Sequence, residues 1–197
     1  MKASEPVYGL VLAGGQSKRM GHDKALIRVD GETQLSRAVR LAEAFVDRVF
    51  VSTRADQHDE SERGRYEQVV DRYEDIGPIA GILSALEEHS GVGWLVLACD
   101  LPNIDAATIR FLLDNRSGDQ PFSAFRSSSD RLPEPLCAYY AAGSEAVIRT
   151  FIDDGVVCPR KMLIRSDTCL LDQPNPAALN NINTPEDLAK TGLKVAS

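Results

Sequence analysis

The sequence predicts an α/β fold built as a single-domain three-layer sandwich, with a mostly parallel mixed sheet between helices. Three observations carry that expectation. Short apolar segments alternate with amphipathic ones along the chain, the order that strand–helix units impose on a parallel sheet. The first apolar segment runs directly into a paired-glycine turn, and two later ones end on a lone carboxylate; open α/β sheets bind their ligands at such carboxyl ends. With 197 residues and a hydrophobic fraction of 43%, the chain suits one core rather than two.

Taken in order, the apolar runs predict strands at Tyr8 to Leu12, Arg48 to Ser52, Glu67 to Val70, Trp94 to Cys99, Phe122 to Phe125 and Leu136 to Tyr140. Between the first two, Leu35, Ala38, Val39, Ala42, Phe45 and Val46 recur at steps of three and four and form one face of a helix. Pro78 opens a second helix through Ile79, Ile82, Leu83 and Leu86, because proline is tolerated in a first turn, where the amide has no intrahelical partner. Asp105 is placed to cap Ala106 to Leu113. Ser144 is placed to cap a helix carrying Val147, Ile148, Phe151 and Ile152, which Asp154-Gly155 stops. Thr184-Pro185-Glu186-Asp187 starts a last helix. The charge-dense stretch 55–66 and the Ser-, Arg- and Pro-rich stretch 126–135 read as surface loops.

Composition excludes several function classes. A net charge of −7 is the wrong sign for the broad cationic surface that nucleic-acid binding uses, so any phosphate site must be local. No stretch reaches the ~20 apolar residues of a membrane span, and residues 1–6 lack the form of a secretory leader, so the expected setting is soluble and cytoplasmic. Cys99, Cys137, Cys158 and Cys169 have no zinc-ligand spacing and no disulfide pattern, and are expected to be reduced, mostly buried thiols. His22, His58 and His89 form no catalytic or metal-binding pattern, the last two falling in charged segments expected to be exposed.

Four constellations carry chemistry. The strongest is the string from Leu12 through Ala13, Gly14, Gly15, Lys18 and Arg19 to Lys24. Two glycines let backbone N–H groups approach a ligand without a Cβ between them. Arginine offers a planar fork for phosphate oxygens, and lysine a compact charge. The string is neither a P-loop nor a dinucleotide-binding turn. Next, the apolar strand Trp94 to Cys99 delivers Asp100 at its carboxyl end, where one carboxylate can hold Mg²⁺ against substrate phosphates. Asp71 ends another strand ahead of Gly77-Pro78 and Gly81; it can accept hydrogen bonds from a base or ribose, or simply end the strand at the surface. Finally, Asn181 and Asn183 precede Thr184-Pro185, a setting that suits either a polar ligand or a turn.

These segments, as LAGGQSKRMGHDKAL, DIGPIAGILSAL, WLVLACDLP, PEPLCAYY and NINTPEDL, resemble the molybdenum cofactor guanylyltransferase family of the nucleotidyltransferase superfamily over nearly the whole chain. The resemblance implies a Rossmann-like, nucleotide-diphospho-sugar-transferase-like fold over residues 1–197, with nucleotide bound by the part up to about Pro102 and the acceptor by the remainder. It implies a Mg²⁺-dependent transfer of GMP from GTP to the terminal phosphate of molybdopterin; the alternative is a relative using CTP or another phosphorylated acceptor. Leu12, Ala13, Gly14, Gly15, Lys24, Asp71 and Asp100 match GTP-contacting positions, and Asp100 the metal ligand. Arg19, Lys24 and Asp100 take catalytic roles, and Asn181 and Asn183 match an acceptor-binding segment. Partners implied are GTP, a molybdopterin-type cofactor and molybdoenzyme-maturation proteins, with no nucleic acid and no membrane. After the second strand the family often carries an asparagine, where Val51-Ser52-Thr53-Arg54 here places Thr53 or Arg54.

Overall fold

The computed structural model describes residues 5–14, 23–29 and 31–180. The chain runs β1 (Val7–Leu12), a single 3₁₀ turn (Lys24–Leu26), the two-residue strands β2 (Arg28–Val29) and β3 (Glu32–Thr33), α1 (Gln34–Glu43) and β4 (Val49–Thr53). A second 3₁₀ turn (Arg63–Arg65), β5 (Glu67–Val70), α2 (Ile79–Glu88), β6 (Gly93–Ala98) and α3 (Ala106–Asp114) follow. The chain continues through β7 (Phe122–Arg126), β8 (Pro133–Tyr140), α4 (Ser144–Asp153), α5 (Pro159–Arg165) and β9 (Thr168–Leu171). Among the described residues seven strands form one sheet in the order β5-β4-β1-β6-β8-β7-β9. Only β8 opposes the rest, pairing antiparallel with both β6 and β7, so the expected mostly parallel mixed sheet is the one observed. No helix among the described residues is long and apolar enough to cross a membrane.

The central strands bury both faces, as parallel strands between helices must. On one side Leu10, Phe50, Trp94, Phe122 and Tyr140 pack with Ile79, Ile82, Leu83 and Leu86 of α2, Ile148 of α4 and Leu163 of α5. On the other, Leu95, Leu97 and Phe125 meet Ile109 and Leu112 of α3, while Val11 and Val51 meet Leu35, Ala38 and Val39 of α1. Each large side chain so buried contributes about 1.5–3 kcal/mol. Thr33 caps α1 by accepting from Ser36 N–H at 3.0 Å, and Asp105 caps α3 by accepting from Thr108 N–H at 2.7 Å, as expected.

Several expectations are corrected. Ser144 is the first helical residue of α4 and buried; the cap position belongs to Gly143. The stop is as expected: Gly155 adopts φ +75°, and Val156 N–H returns to Phe151 C=O at 2.8 Å, closing the helix end. The 126–135 stretch is not all loop, since β8 already begins at Pro133. Its prolines are tolerated because the β7–β8 register shifts after Ala124, bringing Phe125 opposite Glu134. α1 ends at Glu43, so Phe45 and Val46 pack from the following turn rather than from the helix. α5 and β9, on the sheet edge, fall where no element is expected. His89 is partly buried rather than exposed, its ring 4.7 Å from that of Phe50 and 5.8 Å from that of Trp94. Of the four unpaired cysteines only Cys99 and Cys137 are buried; Cys158 is exposed and Cys169 half-buried. The last expected helix lies outside the described residues.

α2 approaches β4 closely at Gly81, where an added Cβ would stand 2.1 Å from Ser52 Oγ and 3.0 Å from Asp71 Oδ1. Gly81→Ala is therefore expected to destabilise the protein by about 1–3 kcal/mol, overcoming alanine's ~1 kcal/mol helix-propensity advantage. The denaturation midpoint in urea checks this.

Candidate active site

Register brings the predicted residues to one edge. Leu12 of β1 lies beside Ser52 of β4 and Ala98 of β6, and Val70 of β5 lies beside Thr53. The residues that follow these strand ends, Ala13-Gly14, Arg54, Asp71 and Cys99-Asp100, therefore emerge at one level. The chain leaves β1 toward β4 and β5, then crosses back to β6 on β1's other side. Such a switch point opens a crevice beyond the strand ends. A cleft of about 730 Å³ lies there, lined by Leu12, Ala13, Gly14, Lys24, Asp71 and Asp100 among others. Gly15, Arg19, Asn181 and Asn183 lie outside the described residues, as does His22.

At one side of the cleft, Lys24 Nζ stands 3.5 Å from Asp100 Oδ2, with both side chains about a quarter exposed. The Asp100 carboxylate is thus open to a cation from the cleft. Among the described residues no group of three or more His, Cys, Asp or Glu forms a metal cage. One carboxylate completed by substrate phosphates is an arrangement that suits Mg²⁺, and the residues present fit that mode.

At the other side, Asp71 accepts from Ser52 Oγ at 2.8 Å. Its Oδ2 lies 3.4 Å from where a Cβ on Gly14 would be, an ordinary van der Waals distance, so the Gly14 backbone runs directly beside that carboxylate. Burial pushes the Asp71 carboxyl up to about 6, with Ser52 and Arg54 opposing. Two consequences follow. For stability, the folded pKa lies above the unfolded one, so the native state holds more protons between about 4 and 6, and stability falls as pH rises through that window. For binding, the ionised carboxylate is the stronger hydrogen-bond acceptor, so if Asp71 meets a base or ribose, as the sequence reading expects, nucleotide affinity is expected to fall as pH drops below about 6. Titration of nucleotide binding on either side of that pH checks it, and Asp71→Asn is expected to flatten the profile.

Of the two candidates at the end of β4, Thr53 is fully buried and donates to Gln68 Oε1 at 2.9 Å, so it does not face the cleft. Arg54 does. Its guanidinium donates to Gly14 C=O at 2.7 Å and grips Asp56 through two bonds of 2.9 and 2.8 Å. Asp56 raises the Arg54 pKa, and Arg54 lowers that of Asp56.

Residues absent from the sequence expectation also shape the site. Arg63, in the segment read as a surface loop, is 1% exposed. It donates to Ala13 C=O at 2.7 Å, to Asp23 Oδ2 at 2.6 Å and to Glu60 Oε2 at 3.1 Å. Asp23 in turn accepts from Ala25 N–H at 3.0 Å, capping the 3₁₀ turn that carries Lys24. Only the paired arginines in Arg63-Gly64-Arg65 hinted at anything, and hydropathy pointed them outward. Cys99, next to Asp100, is buried, and desolvation pushes its thiol up to about 12, leaving it neutral and inert.

Comparison with known proteins places this geometry. The model of a family described as "MobA-like NTP transferase domain" matches residues 9–168. The chain is 36% identical over 182 residues to a molybdenum cofactor biosynthesis bifunctional protein of Synechocystis sp.; the match covers 92% of this chain and 52% of that one, so this chain spans about half of its length. It is 32% identical over 189 residues to a probable molybdenum cofactor guanylyltransferase of Nostoc sp., covering 91% and 87% of the two chains. In fold it is similar to the crystal structure of molybdopterin-guanine dinucleotide biosynthesis protein A from Archaeoglobus fulgidus, with a TM-score of 0.76 at 24% identity, covering 93% and 95%.

Proposed function

The chain belongs to the molybdenum cofactor guanylyltransferase family of MobA-like NTP transferases, and from that premise we propose that it transfers GMP from GTP to the terminal phosphate of molybdopterin, releasing pyrophosphate. The observation that carries this reading is the convergence of Lys24 and Asp100 on one side of the cleft, with Asp71 on the other.

A phosphate oxygen of the acceptor forms the new bond to the α-phosphorus of GTP while the bond to the β-phosphate oxygen breaks. The attacking acceptor oxygen is already ionised near neutral pH, so no general base is required. The chain's work is to position and neutralise. Lys24 meets the triphosphate and the departing pyrophosphate, joined by Arg19. The Gly14-Gly15 backbone lets the nucleotide approach closely, and Asp71 accepts from the base or ribose. Asp100 holds a divalent ion, Mg²⁺, which supplies charge neutralisation on the phosphates when bound. Residues up to Pro102 bind the nucleotide, and the acceptor is met by the later part, with Asn181 and Asn183 as contacts. The reaction takes place in the cytoplasm, delivering the product to molybdoenzyme maturation.

Incubation with Mg²⁺, molybdopterin and each of the four NTPs in turn tests this. Pyrophosphate release with GTP and molybdopterin together, and not with either alone, is the expected result. Release with CTP instead would favour the alternative base, and release only with another phosphorylated acceptor the alternative substrate.

A further inference from the structure

Arg63 occupies an unusual place relative to the glycine-rich segment. One terminal nitrogen of its guanidinium donates both to Ala13 C=O at 2.7 Å and to Asp23 Oδ2 at 2.6 Å, and these two residues bracket the segment that runs from Gly14 to His22. Its other terminal nitrogen is held by Glu60 Oε2 at 3.1 Å. Glu60 is itself anchored, accepting from the Glu62 and Arg63 backbone N–H groups, each at 3.1 Å. The guanidinium is therefore a fixed post, buried under the cleft floor, to which both ends of the segment are tied.

Each tie has a consequence for the cleft. A trans peptide directs its C=O and the following N–H to opposite sides. Because Ala13 C=O is turned onto Arg63, the N–H of Gly14, a residue that lines the cleft, is turned away from Arg63. At the other end, Asp23 held by Arg63 caps the 3₁₀ turn whose first residue is Lys24, and so sets where the Lys24 stem begins. Pairing with Arg63 also offsets the Asp23 charge, which would otherwise compete with phosphate for Lys24 and repel the triphosphate.

We propose that Arg63 is a positioning residue for the β- and γ-phosphates: by tying Ala13 to Asp23 it presets Gly14 N–H and Lys24 Nζ for a triphosphate. This rests on the nucleotidyltransferase reading above, and its test uses nucleotides without acceptor so that the two can fail separately. Arg63→Lys keeps the charge, but its shorter stem stops short of the terminal nitrogen's position and cannot hold both ends.

Affinities for GTP and for GMP, measured by calorimetry on wild type and Arg63→Lys with Mg²⁺ present, decide the matter. The preference for GTP over GMP is expected to fall about tenfold in Arg63→Lys, the size of one charge-assisted contact, with GMP affinity nearly unchanged. A purely structural role would weaken both nucleotides in parallel, and that result, or an unchanged preference, would overturn the proposal. Should Arg63→Lys fail to fold, Glu60→Gln, which loosens the post from outside, is expected to lower the same preference by a smaller factor; an unchanged preference there overturns it equally. A wild type that prefers GTP but releases no pyrophosphate with any acceptor would sink the transferase reading and leave Arg63's role standing. A wild type with no GTP preference would remove both.

Discussion

Asp100→Ala is expected to lower turnover by about 10³-fold, the scale seen when a single charge-organising group is removed from a polar active site. Asp100 follows the end of β6, its side chain is about a quarter exposed, and it stands 3.5 Å from Lys24 Nζ. A pair so exposed contributes at most about 1 kcal/mol to stability, so the variant should fold and melt almost as the wild type does. Steady-state pyrophosphate release against divalent metal concentration measures the effect. The metal-dependent rise should vanish together with turnover, and an unchanged metal response would remove Asp100 from its assigned role.

Lys24→Ala is expected to cost about 10²-fold in kcat/KM, divided between weaker GTP binding and slower transfer. The division follows from geometry. A cation that meets the triphosphate in the ground state also faces the charge that accumulates on departing pyrophosphate, so both steps lose. GMP, which lacks those phosphates, should bind the variant almost normally. Single-turnover kinetics with and without saturating GTP separate the two components, and a loss confined to one of them would show that Lys24 acts on that step alone.

Elements whose signal is local were legible in the sequence. β5 spans the expected Glu67–Val70, where the β-branched pair Val69-Val70 lies between a charged stretch and Asp71. α3 begins after Asp105 because a side-chain cap is a short-range device. α5 and β9 escaped notice for the opposite reason. α5 has only seven residues, and β9 is an edge strand whose four residues are all half-buried and whose apolar stretch, Cys169-Leu170-Leu171, is too short to stand out and does not alternate. The opening of β8 was hidden by Pro133 and Pro135, which are acceptable only because the sheet register shifts there.

The cleft divides along the same line. Lys24, Asp71 and Asp100 could be picked out because each follows or closes a recognisable strand or loop, and parallel pairing brings strand ends to one level. Arg63 could not. Hydropathy assigns an arginine to the surface, and what buries this one is partners 40 and 50 residues away in sequence. The same holds for Gly81. Nothing local in the sequence tells that the space beside it is taken by Ser52 Oγ, which in turn holds Asp71.

The central claim is that the cleft moves the α-phosphate of GTP onto molybdopterin. The most direct test follows GTP labelled at the α-phosphorus through a reaction with molybdopterin and Mg²⁺, comparing wild type with Asp100→Ala. Label in a molybdopterin–GMP conjugate, one pyrophosphate per conjugate, and both formed about a thousandfold more slowly with Asp100→Ala is the predicted result. Label recovered only as unreacted GTP or free GMP, with molybdopterin unmodified, would contradict it.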